Sequence, residues 1–526
     1  ILGLQQVSGK KSSAGARNKI SEEDVPAEIF RSYDIRGLVG SQVTPELAQL
    51  IGQAVGSEAI DQGEQAIVVA RDGRTHSEAL TQALIKGILR TGCNVINIGV
   101  VPTPVMYFAT FHIDDTNSGV MVTASHNPKE YNGYKAYWDD GGQLVPPHDK
   151  NVISEVEAIQ SVDEVKWSGG EYNIQLMGEA MDQDYIKMLT SLSVYPEIIT
   201  QQQDLKIVYT PIHGTGITLV PKVLASFGFT NVTIVDEQAT PDGNFPTVKY
   251  PNPEESETMS IGLAKAKAID ADILLGTDPD ADRVGVGVKN HKGEWVLMNG
   301  NQTAVLAFAY MMEARRAKGI AAPNDMVVTT IVTTEMINQV AKINEVNCYN
   351  VLTGFKWIAE LVKEKEGKEN YIIGGEESFG LMIGDQIRDK DAVSAVALLC
   401  EMAAYEKSKG KTLFDKMIEL YIQYGFYYEN LISITKKGMN GQQEIKDMME
   451  GYRQSPPVTI DGEAVITLLD YELQLGKNLQ TGATWKLNLP KSNVLQFITA
   501  KGSKISARPS GTEPKIKFYF SMKFTK

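Results

Sequence analysis

Three aspartates alternate within "DPDADR", at Asp278, Asp280 and Asp282, on a tight turn that follows the apolar run "ADILLGT". Oxygen-only ligands at that spacing can face one hard cation, and magnesium suits them when a phosphate oxygen completes its shell. A calcium loop of the EF-hand type would want Gly at its sixth place and Glu at its twelfth, where Arg283 and Lys289 stand. A solvated acidic turn is the plain alternative, yet three like charges beside a buried strand are costly unless a cation neutralises them.

The stretch "GVMVTASHNPKEYNGYK" ends an apolar strand on Ser125 and His126, turns at Asn127-Pro128 and then supplies Lys135. A hydrolase pair is the weaker reading, because adjacent residues are not expected to reach nucleophile–base geometry and no Gly-x-Ser-x-Gly elbow is present. A serine that carries a phosphoryl group is more coherent: it would lend an oxygen to the cation held by the aspartates, which neutralises charge as the phosphoryl leaves.

Two further loops carry polar groups in suggestive sets. "IGGEESFG" offers Glu376, Glu377 and Ser378 between glycines, acceptors that suit desolvated sugar hydroxyls or, equally, a solvated loop. "ARPSGTEPKIK" gathers Arg508, Ser510, Gly511, Thr512 and Lys517 around a turn, complementary to a phosphate dianion, although Pro-Ser-Gly is also an ordinary turn. "GDQIRDKDA" adds Arg388 and Lys390 among aspartates, with a salt-bridged surface segment as the bland reading.

The elements that must hold these loops follow from periodicity. Thr44 caps, Pro45 fits the first helical position, and Leu47, Leu50, Ile51, Ala54 and Val55 share one helical face. "AIVVA", a helical "SEALTQALIKGILRTG", "NVINIG" and "GVMVTA" continue a βαβ rhythm, and the rhythm recurs twice, through "LKIVYT" to "ADILLGT" and through "DMVVTTIV" to "NYIIGG". In all three units a chemically loaded loop follows an apolar strand, and ligands in open α/β sheets gather beyond the carboxyl ends of strands. The expected fold is therefore α/β: three similar α/β domains with mixed sheets, then a smaller C-terminal α+β domain, around a central cleft. The expected divisions are a tail at 1–24 and domains at 25–172, 173–297, 298–412 and 413–526.

With 526 residues, a 43% hydrophobic share and a net charge of −14, the chain reads as a soluble multidomain protein. That charge argues against a general nucleic-acid or anionic-membrane surface, so an anionic ligand must meet a local basic cluster. Cys93, Cys348 and Cys400 show no paired spacing, which points away from disulfides and thiolate zinc. No run reaches the length of a membrane span and no secretory leader is evident, so a cytoplasmic setting is expected.

Four motifs in order, "TASHNP", "GTDPDADR", "GGEESFG" and "RPSGTEP", resemble the α-D-phosphohexomutase superfamily of phosphoglucomutases and phosphomannomutases, from about Val25 onward. The resemblance implies a phosphoserine, one Mg2+ per active site, and exchange of phosphate between the 1- and 6-positions of a hexose phosphate. Glucose is the expected sugar, with mannose or pentose phosphates as alternatives. Glucose 1,6-bisphosphate is the implied intermediate and activator, and the enzyme a monomer or dimer. Ser125 resembles the phosphoryl carrier and a metal ligand beside Asp278, Asp280 and Asp282, and Arg283 the contact to the moving phosphate. Tyr33 and Arg36 of "FRSYDIRG" match positions near that phosphate. Lys135 looks like the family's candidate base, which would require a lowered pKa, while His126 and Asn127 order the serine loop. Thr353, Gly354 and Lys356 of "TGFKW" fall in a ligand-contacting loop, Glu376 and Ser378 in the sugar loop, and Arg508, Ser510, Gly511 and Thr512 in the grip on the distal phosphate.

One place departs from the pattern. Bacterial mannose/glucose mutases carry a His just after the sugar loop where Gly380 stands here, which implies that Lys390 takes an acid/base part as in the glucose-mutase branch. Roughly the first 120 residues resemble the bifunctional mannose/glucose enzymes, and the rest the phosphoglucomutase and phosphopentomutase branch. Two rival readings differ in class: a metal-dependent phosphatase, and a sugar-phosphate binding protein without turnover.

Overall fold

The computed structural model describes residues 5–7, 35–113, 116, 118–138, 142–143, 172–436, 440–510 and 514–524. Its first sheet is ordered Gln5–Val7, Tyr172–Leu176, Asn94–Val100, Ala66–Arg71, Gly119–Val122, Tyr131–Tyr137, Ile35–Leu38. The central members run parallel, while Tyr131–Tyr137 returns antiparallel along Gly119–Val122 and so brings Lys135 opposite Met121. Both faces of this sheet are covered: Val68 and Ala70 point into one apolar cluster, Ile67 and Val69 into another. That two-sided burial explains why "AIVVA" shows a continuous apolar run instead of alternation.

One covering layer pairs helices Pro45–Asp61 and Ser77–Arg90. Thr44 Oγ1 accepts from Leu47 N at 3.2 Å, the cap expected from sequence. The pair packs closely because it meets at glycines, since a Cβ on Gly52 would stand 2.1 Å from Leu84 O and one on Gly87 2.1 Å from Gln49 O.

The second sheet runs Trp295–Met298, Val284–Lys289, Ile273–Thr277, Ile207–Thr210, Val232–Ile234, and the third Asn347–Val351, Asp325–Thr330, Asn370–Gly375, Leu381–Ile383. Each mixes parallel strands with an antiparallel edge. The third unit holds more than its sequence rhythm suggested: helix Met336–Ile343 and strand Asn347–Val351 lie between "DMVVTTIV" and the helix Phe355–Lys365. "NCYNV" is exposed to half-buried along most of its length, so it lacks the apolar run that marks a central strand.

The C-terminal unit is an antiparallel sheet with Phe426–Thr435 at one edge, backed by helix Gly441–Gln454 through Ile445 and Met449. The fold is thus three α/β units with mixed sheets and a smaller α+β unit. One large apolar cluster extends from Ala66 to Tyr427 and includes Leu413, Met417, Leu420 and Tyr424 of helix Leu413–Tyr424.

Candidate active site

Ser125 leaves the strand Gly119–Val122 in a left-handed conformation, φ 50°, which favours glycine and signals an externally imposed geometry. Its Oγ lies 3.1 Å from Asp278 Oδ2 and 3.1 Å from His126 Nδ1. The second contact brings the adjacent Ser and His within hydrogen-bond reach, which their adjacency in the chain did not lead one to expect. His126 is held well below the usual imidazole range by burial and by the charges of Arg283 and Arg36. A neutral ring results, able to accept the Ser125 hydroxyl proton at Nδ1 when Nε2 carries its own.

The aspartate loop closes on itself. Asp278 Oδ1 accepts from Asp282 N at 3.0 Å and Arg283 N at 2.9 Å, and Ala281 takes φ 56°. Asp278, Asp280 and Asp282 are each fully buried, with one oxygen of each within 4.8 Å of the others. Asp280 Oδ1 and Asp282 Oδ1 are buried without a donor. Burial, then Asp282 and Asp280, push the Asp278 carboxyl well above its ordinary range. Burial would raise Asp282 too, but Lys135, Lys390 and Arg283 hold it down. Orphaned hard oxygens beside a serine hydroxyl are the donor set a divalent cation takes up.

Lys135 Nζ sits 2.8 Å from both Asp280 Oδ2 and Asp282 Oδ2, and Lys390 Nζ lies 3.1 Å from Asp282 Oδ2. The lowered pKa expected of Lys135 is not found: burial lowers it, but Asp280 and Asp282 outweigh burial and keep the ammonium protonated. Lys390 is raised in the same way, burial being outweighed by Asp282 and Asp389. Arg283 Nη1 donates to Glu254 Oε1 at 2.8 Å, and Arg36 Nη1 to Asn127 Oδ1 at 2.8 Å, which ties the edge strand to the serine loop.

Across from this cluster, Glu376 Oε1 accepts from Gly354 N at 2.6 Å and Glu376 Oε2 from Ser378 Oγ at 3.2 Å, so the "TGFKW" and "GGEES" loops form one surface. Gly354 has φ 120°, which a side chain there would resist. Thr353 Oγ1 is buried without a partner, and Lys356 Nζ lies 5.1 Å over the Trp357 ring. Arg508 belongs to strand Lys504–Pro509, and its charge reaches Glu377, whose carboxyl burial and Glu376 push up to about 7. Lys517 is lowered by burial and by Arg508 and Lys515, the mark of a crowded cationic patch. Glu254 acts on both Arg283 and Lys517, which joins the basic patch to the aspartate loop. Ser510 N donates to Lys515 O at 2.7 Å. Tyr33, Gly511 and Thr512 lie outside the described residues.

Residues 27–163, 183–293 and 299–423 match in turn the α/β/α domains I, II and III of phosphoglucomutase/phosphomannomutase. A phosphoglucomutase of Staphylococcus haemolyticus is 34% identical over 465 residues, 87% of this chain and 82% of that protein. The chain belongs to the phosphoglucomutase/phosphomannomutase family. A Staphylococcus aureus phosphoglucomutase is 34% identical over 424 residues, 80% of this chain and 75% of the relative. In fold, the chain resembles a phosphoglucomutase/phosphomannomutase family protein of Burkholderia thailandensis, with TM-score 0.70 and 21% identity over 95% of this chain and 94% of that one. It also resembles the open form of Paramecium parafusin, with TM-score 0.71 and 17% identity over 97% and 92%.

Within this candidate site, several contributors escaped the reading of the sequence. Thr103, the first residue of helix Thr103–His112, donates Oγ1 to Asp280 Oδ2 at 3.0 Å and N to Asp280 O at 2.8 Å. Thr215 of "PIHGTG" donates N and Oγ1 to Pro279 O at 2.8 and 3.0 Å. Asp72 and Arg74 of "RDGRTHS" hold the serine loop. "RDGRTHS" and "PIHGTG" directly follow apolar strands, the position that already marked the other site loops, so strand ends alone could have flagged them.

Proposed function

We propose that this enzyme interconverts glucose 1-phosphate and glucose 6-phosphate with Ser125 as phosphoryl carrier. The observation that carries the reading is the 3.1 Å approach of Ser125 Oγ to Asp278 Oδ2, inside a buried trio of aspartates. In the forward half-reaction, a free sugar hydroxyl attacks phosphoserine 125. The bond from phosphorus to Ser125 Oγ breaks, one to the sugar oxygen forms, and the proton lost by the sugar hydroxyl is matched by one gained at the departing Ser125 Oγ. The hexose 1,6-bisphosphate then turns over, and Ser125 Oγ takes back the other phosphate.

Mg2+ held by Asp278, Asp280, Asp282 and an oxygen on Ser125 would offset charge on the phosphoryl group. Arg283 and Arg36 supply fixed positive charge on the same side. To Lys390 and Lys135, both protonated, we assign a relay in which an ammonium gives its proton to the leaving oxygen and is reprotonated by the sugar hydroxyl as that hydroxyl attacks. Glu376 and Ser378 accept from sugar hydroxyls, with Thr353, Gly354 and Lys356 at the rim. Arg508, Ser510, Gly511 and Thr512, with Lys517, receive the phosphate that is not reacting. Tyr33 is assigned beside the reacting phosphate and His126 to the Ser125 hydroxyl.

The same proposal keeps the four-part division but moves the boundary expected at 412/413, taking helix Leu413–Tyr424 with the third unit because the domain III match runs over residues 299–423. It takes the enzyme as cytoplasmic and as a monomer or dimer; among the described residues no helix is long and apolar enough to cross a membrane.

The test supplies glucose 1-phosphate, Mg2+ and a trace of glucose 1,6-bisphosphate, with mannose 1-phosphate in parallel. Glucose 6-phosphate should be the faster product, and Ser125→Ala should lose more than about 10⁴-fold in kcat, the scale lost with an acting nucleophile. Intact mass should show one phosphoryl group on the native chain and none on the variant. Undiminished turnover in Ser125→Ala would remove Ser125 from the mechanism, and stoichiometric release of inorganic phosphate would make the protein a phosphatase.

A further inference from the structure

A residue with φ 50° that must also aim its hydroxyl at Asp278 needs its backbone held from both sides. On the amide side, Ser125 N donates to Thr123 Oγ1 at 2.8 Å, and Thr123 Oγ1 donates to Asp72 Oδ2 at 2.8 Å. On the carbonyl side stands Arg74, only 2% exposed. Its Nη2 donates to Ser125 O at 2.8 Å and Asn127 O at 2.6 Å, and its Nη1 to Pro128 O at 2.9 Å and Tyr131 O at 3.0 Å. One planar guanidinium thus fixes four carbonyls of the loop that bears Ser125, a task that needs its rigid fork of donors and that a single ammonium cannot perform.

The clamp is itself positioned. Asp72 Oδ1 accepts from Arg74 N at 3.0 Å and Ser77 Oγ at 2.6 Å, and Asp72 Oδ2 forms an ion pair with Arg74 Nε at 3.2 Å. The second unit seals it: the Phe245 ring centroid lies 5.0 Å from Arg74 Cζ, and a Cβ on Gly243 would meet Arg74 Cα at 2.7 Å. The unit that carries the aspartate loop therefore also presses on the arginine that shapes the serine loop.

We infer that Arg74 is a positioning residue for phosphoryl transfer, fixing the Ser125 backbone through four carbonyls under a cover supplied by Phe245. This rests on the reading of Ser125 as phosphoryl carrier. Misplacement of a reacting group by about 1 Å costs on the order of 100-fold in rate, so the effect belongs in kcat and not in substrate affinity.

The experiment measures, on the full-length chain, the rate at which glucose 1,6-bisphosphate loads a phosphoryl group onto Ser125, followed by intact mass, together with kcat, KM and the unfolding midpoint. Folded Arg74→Lys should load and turn over about 100-fold more slowly, with KM changed by less than about threefold. Loading and kcat within about threefold of native in that folded variant would overturn the inference. Should Arg74→Lys not fold, Phe245→Leu decides, because it keeps all four hydrogen bonds and removes only the aromatic cover. A loading rate lowered about three- to tenfold at unchanged KM supports the clamp, and an unchanged rate overturns it. Ser125→Ala separates the two levels: if that variant keeps full turnover, the carrier assignment has failed, whereas an inactive Ser125→Ala beside a fully active Arg74→Lys defeats the clamp alone.

Discussion

Lys390 Nζ lies 3.1 Å from Asp282 Oδ2, the same oxygen that Lys135 approaches at 2.8 Å from the first unit. The stem of Lys390 reaches that place across Gly380: a Cβ there would meet Lys390 Cδ at 3.0 Å and Phe355 Cε2 at 2.8 Å. The missing side chain at 380 and the lysine at 390 thus fit each other sterically. Gly380→Ala should push Lys390 off Asp282 and lower kcat about tenfold, with Lys390→Met losing about 10²- to 10³-fold, as expected for a lost acid/base group. The double variant should be no worse than Lys390→Met, because both changes act on one group. Steady-state kinetics on the three variants check this, and multiplicative losses would separate Gly380 from Lys390.

Three buried carboxylates with two oxygens lacking donors leave a strong demand for positive charge. Mg2+ should therefore raise the unfolding midpoint, since a ligand that binds only the folded state at 100 times its Kd adds about 2.7 kcal/mol. Asp280→Asn should remove most of that shift. Calorimetric scans with Mg2+ and with EDTA measure it without any substrate. An equal Mg2+ shift in native and variant protein would place the cation elsewhere.

Beside Ser125 and Lys135, Thr103 is a further hold of the first unit on the aspartate loop, through Oγ1 to Asp280 Oδ2 at 3.0 Å. Groups that orient metal ligands are worth about 10- to 100-fold in metal affinity. Thr103→Val should weaken Mg2+ binding by that range in titration calorimetry, and Thr103→Ser should restore it. Equal affinity in all three proteins would reduce Thr103 to a helix-terminal residue.

Much of this arrangement was legible in the chain because the chemistry sits where period and punctuation are strongest. Alternating Asp at 278, 280 and 282 after a buried strand, and Ser125 at the end of another, declare themselves by type and spacing alone. The helix at Pro45–Asp61 begins at the expected cap, and the strand at Ala66–Arg71 shows the unbroken apolar run of a two-faced core strand. What stayed hidden acts through the backbone or across units. The place of Arg74 after an apolar strand flags its loop, but its partners are carbonyls, which carry no sequence signal, and Thr103 finds Asp280 only once two units pack. The protonated state of Lys135 was likewise out of reach, because it depends on how close Asp280 and Asp282 come in space.

Glu429 ties the C-terminal unit to the third. It lies on the edge strand Phe426–Thr435, accepts from Ser521 Oγ at 2.8 Å, and faces Thr334, Lys504 and Glu335. Burial pushes its carboxyl up to about 7 from 4.5, against the pull of Thr334, Ser521 and Lys504. The folded form therefore keeps a proton that the unfolded chain releases above its own lower pKa. Stability attributable to Glu429 is full below pH 4.5, declines through the window up to about 7, and is flat beyond it. Glu429→Gln cannot release a proton, so its stability in urea should fall less steeply over that window than that of the native protein, by about 2 kcal/mol after allowance for solvent on the open side of the strand, while Glu377 and Asp391 titrate in both. Parallel slopes for the two proteins between those pH values would assign the titration to another group.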